Sequence, residues 1–158
     1  KDVYYFSLLR PMYEIAIAKK FAKMESCLNV FTSCNTNFKI SGPGHEKWCK
    51  KCAKCAFVFA ILAPFVAKDK LVAAFGGNLL ADESLWSIYE ELLGMGEAKP
   101  FDCVGTPDEV KKAFEMAREN YVGDVVMDKF VALNLAPVEV DLFSISNEHI
   151  IPDEFRSL

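Results

Sequence analysis

Apolar positions recur three and four residues apart along most of this chain, a spacing that predicts a helical protein. The exception comes first. Val3-Tyr4-Tyr5-Phe6-Ser7-Leu8-Leu9 is rich in aromatic and branched residues and predicts a short N-terminal strand. Pro11 then stands where a first helical turn tolerates proline, and a helix is expected from Met12 to about Met24. Its apolar stripe runs through Met12, Ile15, Ala16, Phe21 and Ala22, with Lys19 and Lys20 toward the C-terminal end, where the helix dipole favours cations. Residues 25–51 are polar and irregular around a Ser41-Gly42-Pro43-Gly44 turn. From Cys52 to Phe65 nearly every position is apolar, which predicts a helix buried on all sides. A short helix from Lys68 to Phe75 is expected to stop at Gly76-Gly77. Asp82 is a candidate N-cap for an amphipathic helix to Leu93, built on Leu85, Trp86, Ile88, Tyr89, Leu92 and Leu93. After an extended link from Lys99, Thr106 caps and Pro107 opens a helix to about Asn120, with Asp108 and Glu109 in its first turn. A last short helix, Gly123 to Leu133, precedes an extended C-terminal stretch.

Composition limits what such a helical chain can be. With 158 residues and 52% hydrophobic content it can build one domain with a real core, and we expect a single domain over 1–158. Within it, 1–75 would hold the strand, first helix, cysteine-rich loop and buried helix, and 76–158 a helical extension. A net charge of −4 gives no overall attraction to nucleic acid. The longest apolar run, Cys55 to Ala67, falls well short of the roughly 20 residues of a membrane span and contains Pro64. No secretory signal opens the sequence, so a cytoplasmic protein without a membrane span is expected. The chain begins with Lys1 rather than methionine, and the tail of a longer protein is expected.

Candidate chemistry concentrates in the polar loop. Cys49, Cys52 and Cys55 are evenly spaced, and Cys34 lies upstream with fourteen residues between it and Cys49. Four thiolates from one short segment suit a tetrahedral zinc ion, so the loop reads as a zinc knuckle that pins the start of the buried helix. A reactive dithiol, buried free thiols and an iron–sulfur cluster are the other chemistries open to four cysteines. Six cysteines could also make disulfides in a secreted chain, but such scaffolds are core-poor and this one is not. His45 lies inside the loop, yet four cysteines leave it no vacancy; Cys27 reads as core and His149 as surface.

Outside the knuckle the signals are weaker. Cys103 sits beside Asp102 in an extended loop between Pro100 and Gly105, and a thiol of lowered pKa suits proton transfer, with Lys99 its nearest positive neighbour in sequence. An ordinary half-buried cysteine is the plainer account. Arg10 could hold a phosphate or carboxylate through its forked donors, or pair with Glu14. Lys39, His45, Lys47, Lys50, Lys51 and Lys54 with Phe38 and Trp48 make a basic, aromatic-bearing loop, which is how some zinc ribbons meet nucleic acid. The net negative charge and the long apolar helices argue against that alternative, and the same lysines could face the diphosphate of a nucleotide-linked substrate.

Several strings together carry a resemblance. They are Tyr5-Phe6-Ser7-Leu8-Leu9-Arg10-Pro11, Ser33-Cys34-Asn35, and Trp48-Cys49-x-x-Cys52-x-Lys54-Cys55 with Phe57-Val58-Phe59 and Leu62-Ala63-Pro64-Phe65, followed by Lys99-Pro100-Phe101-Asp102-Cys103-Val104-Gly105. Together they resemble the UDP-N-acetyl-muramoyl-L-alanyl-L-glutamate epimerase family, over nearly the whole chain but only over that family's C-terminal part. The order of elements is also similar to the C-terminal half of 7-cyano-7-deazaguanine synthases and other ATP pyrophosphatases of the PP-loop type. Ala53 stands where a proline is expected between two knuckle cysteines, a departure that bears on stiffness rather than ligation.

The resemblance implies a peptidoglycan-precursor enzyme that inverts the terminal L-glutamate of a UDP-linked muramoyl dipeptide to D-glutamate at the expense of ATP. An α-proton beside a free carboxylate is hard to remove, because the carbanion forms next to an existing charge; adenylation removes that charge, and an acid and a base on opposite faces can then invert the centre. ATP and Mg²⁺ need a phosphate loop, and neither Gly-x-x-x-x-Gly-Lys nor Ser-Gly-Gly-x-Asp-Ser occurs in these residues. The implied whole is a mainly α, zinc-stapled C-terminal domain with a short N-terminal strand, appended to an upstream α/β PP-loop ATPase domain. Alone, this chain is expected to be inactive.

Overall fold

The computed structural model describes residues 3–37, 46–96, 100 and 103–155. Among them are α1 (Glu14–Phe21), α2 (Glu25–Leu28), α3 (Ala53–Leu62), α4 (Lys68–Phe75), α5 (Trp86–Leu92), α6 (Pro107–Ala117) and α7 (Val125–Ala132), with short 3-10 turns at Glu83–Leu85, Arg118–Tyr121 and Asp153–Phe155. The axis of the fold is α3. All of its residues except Lys54 are buried, so it has no face to give to water, and it packs against α1, α4, α5 and α6. That follows from its sequence: Phe57, Val58, Phe59, Ile61 and Leu62 leave no polar stripe, and each large side chain contributes about 1.5–3 kcal/mol when fully buried. One apolar core runs from Ile15 to Leu142. No helix among the described residues is long and apolar enough to cross a membrane.

The predicted N-terminal strand is not found. No strand occurs among the described residues, and Val3–Ser7 has no regular structure and leads into a turn over Leu8–Arg10. A β-rich run needs a partner for its ladder, and here its polar backbone closes local turns instead: the Arg10 N–H donates to the Ser7 carbonyl at 3.2 Å and the Met12 N–H to Leu9 at 3.0 Å. Those turns also explain why α1 begins at Glu14 rather than at Met12.

Caps set the remaining boundaries. Gly76, at φ 70°, closes α4 in the left-handed conformation. Asp82 accepts the Ser84 N–H at 3.0 Å, though it opens the 3-10 turn ahead of α5 rather than α5 itself. Thr106 and Glu109 form a reciprocal capping box at α6.

Glu109 does more than cap its own helix. It is 2% exposed, and its carboxylate accepts the Thr106 N–H at 2.6 Å, the Thr106 hydroxyl at 3.1 Å and, across the core, the Ile15 N–H at 3.1 Å. Tyr13, at the N-cap of α1, makes no side-chain cap bond, so a carboxylate 94 residues away supplies one. The Gly105 backbone passes so close that a Cβ there would meet the Glu109 carboxylate and lie 2.8 Å from Phe57 Cζ.

Candidate metal centre

The two arms of the cysteine-rich loop are tied together before any metal is considered. The Thr32 hydroxyl donates to the Lys47 carbonyl at 2.6 Å and accepts the Cys34 N–H at 3.3 Å. Asn37 donates from its side-chain amide to the Glu46 carbonyl at 2.9 Å. Below the loop, Trp48 is buried and stacks on Phe75 of α4 with ring centroids 4.2 Å apart and planes 15° from parallel. Phe31 meets it edge-on at 5.1 Å, and Phe21 and Phe59 continue the cluster into α1 and α3. These aromatic contacts fix the loop to three helices.

On that base the four cysteines converge. The sulfurs of Cys34, Cys49, Cys52 and Cys55 all lie within 4.8 Å of one another, close enough to hold one metal ion. Cys52 Sγ is 3.4 Å and Cys49 Sγ 3.7 Å from Cys55 Sγ, and all four thiols are free of disulfides. Cys52 occupies the N-cap of α3, so the buried helix starts at a ligand position. Backbone N–H groups aim at the sulfurs: Asn37 and Cys49 donate to Cys34 at 3.3 and 3.4 Å, and Lys51 donates to Cys49 at 3.5 Å. The turn that allows this puts Lys50 at φ 61°, a strained conformation for a residue with a side chain.

The electrostatics fit a cation. Burial pushes the Cys55 thiol up, and its Cys52 and Cys34 neighbours add to the effect; burial also raises Cys52, helped by the charge on Cys49. Burial acts against Cys49 too, but the Lys51 N–H, the Thr36 hydroxyl and the neighbouring thiols outweigh it and bring Cys49 from 9.0 to about 6. Burial therefore opposes ionisation of Cys52 and Cys55 beside Cys49, and a divalent ion at the centre of the cluster is what would hold them as thiolates.

The other candidate residues fall in different places. Cys103 is exposed, and its backbone carbonyl accepts the Lys54 ammonium, which also lies 5.7 Å from the centre of the Phe57 ring. The Cys103 loop is thus held beside the first turn of α3, next to the knuckle. Asp102, Lys99 and His45 lie outside the described residues. Arg10 is exposed and makes no ion pair with Glu14; with Pro11, Met12, Tyr13, Ser146 and Glu148 it lines a surface hollow of about 240 Å³. Trp48, offered by the sequence as a stacking platform for nucleic acid, is buried in the core, and Lys50 is paired with Glu46 at 3.0 Å, so the loop loses one of its two aromatics and one free cation, while Phe38 and Lys39 lie outside the described residues. His149 is half-buried and accepts the Ile151 N–H on Nδ1 at 3.3 Å, which makes it part of a turn rather than plain surface. Sequence reasoning missed Glu109 as a cap shared by two helices. The Thr-x-x-Glu signal announced only the bond within α6.

A helical fold, among the described residues, with four cysteines converging at the start of its central helix is the class of protein that this geometry defines. Residues 30–141 match the model of the MurL C-terminal domain, and the chain belongs to that family. It is 42% identical over 161 aligned positions to the UDP-N-acetyl-alpha-D-muramoyl-L-alanyl-L-glutamate epimerase of Xanthomonas oryzae pv. oryzae, covering 96% of this chain and 36% of that protein. Proteins of the same name from Micromonospora sp. and Salinispora tropica are 46% and 45% identical over 115 positions, covering 73% of this chain and 26% and 25% of theirs. The chain thus spans about a third or less of the length of these curated relatives. No solved structure matches it.

Proposed function

We propose that this chain is the C-terminal part of an ATP-dependent epimerase that converts the terminal L-glutamate of UDP-N-acetylmuramoyl-L-alanyl-L-glutamate to D-glutamate in the cytoplasm. The observation that carries the reading is the 42% identity to a relative of that name over 96% of the chain. ATP and Mg²⁺ belong, on this reading, to a PP-loop domain within the part of the relatives that this chain does not span, because no phosphate loop occurs in its sequence.

The metal proposed for the knuckle is zinc, held by Cys34, Cys49, Cys52 and Cys55 as a closed structural site. Zinc–sulfur bonds of about 2.3 Å set tetrahedral thiolates roughly 3.8 Å apart, close to the 3.4 and 3.7 Å sulfur separations found here. Thiolates that each bind a different iron of a cluster must stand wider than four thiolates on a single ion. Such a zinc supplies folding energy and fixes the start of α3; it leaves no open position for substrate.

Nearer the chemistry, the proposed contributors are Cys103 and Asp102 for proton transfer, with Lys99 and Arg10 holding the substrate's anionic groups. The hydrogen bond from Lys54 to the Cys103 carbonyl supports this, since it keeps an exposed thiol on a loop tied to the first turn of α3. A chimera in which this chain replaces the matching segment of the Xanthomonas oryzae relative tests the reading. With ATP and the UDP-linked L-glutamate substrate it should form the D-glutamate epimer, read by chiral analysis after hydrolysis, while the isolated chain should form none. A folded chimera without epimerase activity would overturn the proposal.

A further inference from the structure

Residues 3–13 and 145–155 come from opposite ends of the described chain and lie together. The Phe6 and Phe155 rings are 5.1 Å apart, and the Ser146 N–H donates to the Pro11 carbonyl at 2.9 Å. Each segment has an inward anchor, Pro11 on one and Ile151 on the other, both buried. Phe6, Met12 and Phe155 are half-buried, while other large apolar side chains of the pair face outward: Tyr5 is 98% exposed and Ile150 87%, and Val3, Tyr4, Leu8, Leu9 and Ile145 are exposed as well. Scattered apolar residues on a surface need no explanation, but this many on two abutting segments form a patch of the kind that marks an interaction site. Arg10, Ser146 and Glu148, around the 240 Å³ hollow between the segments, give it a polar edge. An apolar centre with a polar rim is how protein interfaces are built.

Two observations identify the occupant. The matched family domain covers residues 30–141, so both segments lie outside it, one on each side. The alignment with the Xanthomonas oryzae relative nevertheless extends over 96% of this chain, while nearly two thirds of that relative has no counterpart here. We infer that residues 3–13 and 145–155 form one composite docking surface for the remainder of the enzyme, the part of the relatives' length that this chain does not span. The inference rests on the family reading above. In it, Tyr4, Tyr5, Leu8, Leu9, Ile145 and Ile150 become interface core, and Arg10 and Glu148 become rim. Beyond the turn over Leu8–Arg10 and the 3-10 turn at Asp153–Phe155 the two segments carry no regular structure of their own, as suits chain that gains order on docking.

Hydrogen–deuterium exchange on the isolated chain and on the chimera described above tests this. Amides of residues 3–13 and 145–155 should exchange at least tenfold more slowly in the chimera, with amides of α5 and α7 unchanged. The double variant Tyr5→Asp/Ile150→Asp should return both segments to the rate of the isolated chain while α3 keeps its protection. As a second measurement, the isolated chain mixed with the remaining part of the Xanthomonas oryzae relative should form a one-to-one complex in sedimentation, lost in the double variant. Equal exchange in both settings without a complex in the mixture would overturn the proposal. So would concentration-dependent protection of the isolated chain, which would make a second copy the occupant. Epimerase activity is a separate readout: protection without activity leaves the docking surface standing and removes the functional reading, and activity without protection does the reverse.

Discussion

Replacing Glu109 by alanine should cost this domain more than any exposed acidic residue could. Its carboxylate is buried without a cationic partner among the described residues, an arrangement that is usually expensive. Here the N-termini of α1 and α6 both point N–H groups at it, and each carries about half a positive charge on its first turn. In Glu109→Ala the Ile15 N–H loses its acceptor with the residue fully buried, a penalty of about 1–3 kcal/mol. Loss of the capping box at α6 adds about 1 kcal/mol, softened because Thr106 is exposed and water can replace part of the bond. Shrinking a buried side chain beside Phe57 adds a cavity contribution of about 1 kcal/mol. The expected total is about 3–5 kcal/mol, against a whole-domain stability of about 5–15 kcal/mol.

Glu109→Gln separates the contributions. It keeps the shape and one acceptor oxygen but turns an amide NH₂ toward one of the two N–H donors, so a loss of about 1–3 kcal/mol is expected. Urea unfolding followed by circular dichroism, with metal content checked beforehand, gives both values from the midpoint at constant slope. An alanine variant within 1 kcal/mol of wild type, or a glutamine variant less stable than the alanine one, would refute the shared-cap argument.

Other perturbations reach different parts of the same framework. Cys52→Ala should lower bound zinc from one equivalent to a small fraction by elemental analysis and leave α3 without its pinned start, seen as loss of helical signal on heating at a lower temperature. Gly105→Ala should destabilise by about 2 kcal/mol or more in urea unfolding, because its Cβ has no room between the Glu109 carboxylate and Phe57. Tyr121→Phe should leave stability unchanged or raise it by about 1 kcal/mol in the same assay, since the Tyr121 hydroxyl is buried with no hydrogen-bond partner among the described residues. In the chimera, Cys103→Ala should abolish incorporation of solvent deuterium at the glutamate α-carbon while ATP-dependent activation persists, as measured by pyrophosphate release.

The helices were legible in the sequence because their signals are local. Gly76 and Thr106-Pro107 act within one turn, and the all-apolar run of α3 needs no partner to be recognised as buried. The cysteine cluster was legible for the same reason, since three of its members sit within seven residues. What could not be read is what depends on meeting across the core. Val3–Leu9 has strand composition, but composition does not tell whether a second strand will be there to pair with. Trp48 beside four lysines looks like a binding surface until Phe75, 27 residues on, is found stacked against it. Thr106 announced the cap of α6, but nothing local points from Glu109 to Ile15, 94 residues off.

Those long-range ties decide how the candidate chemistry is held. The short segment between Cys103 and Thr106 is fixed at one end by Lys54, which donates to the Cys103 carbonyl, and at the other by Glu109, which accepts from Thr106. Lys54 stands between two knuckle cysteines, on the first turn of the helix they start. Glu109 in turn joins that segment to α1, directly after the flank that carries Arg10. A metal at the cysteines would therefore influence the exposed thiol of Cys103 without touching it, by fixing the helix turn on which the Lys54 tether is rooted. Arg10 and Cys103, far apart in sequence, are connected through one buried carboxylate. The cysteine knuckle and the exposed Cys103 loop are then parts of one connected arrangement, and the proton-transfer role proposed for Cys103 would need that, since its groups must stay in register with a bound substrate.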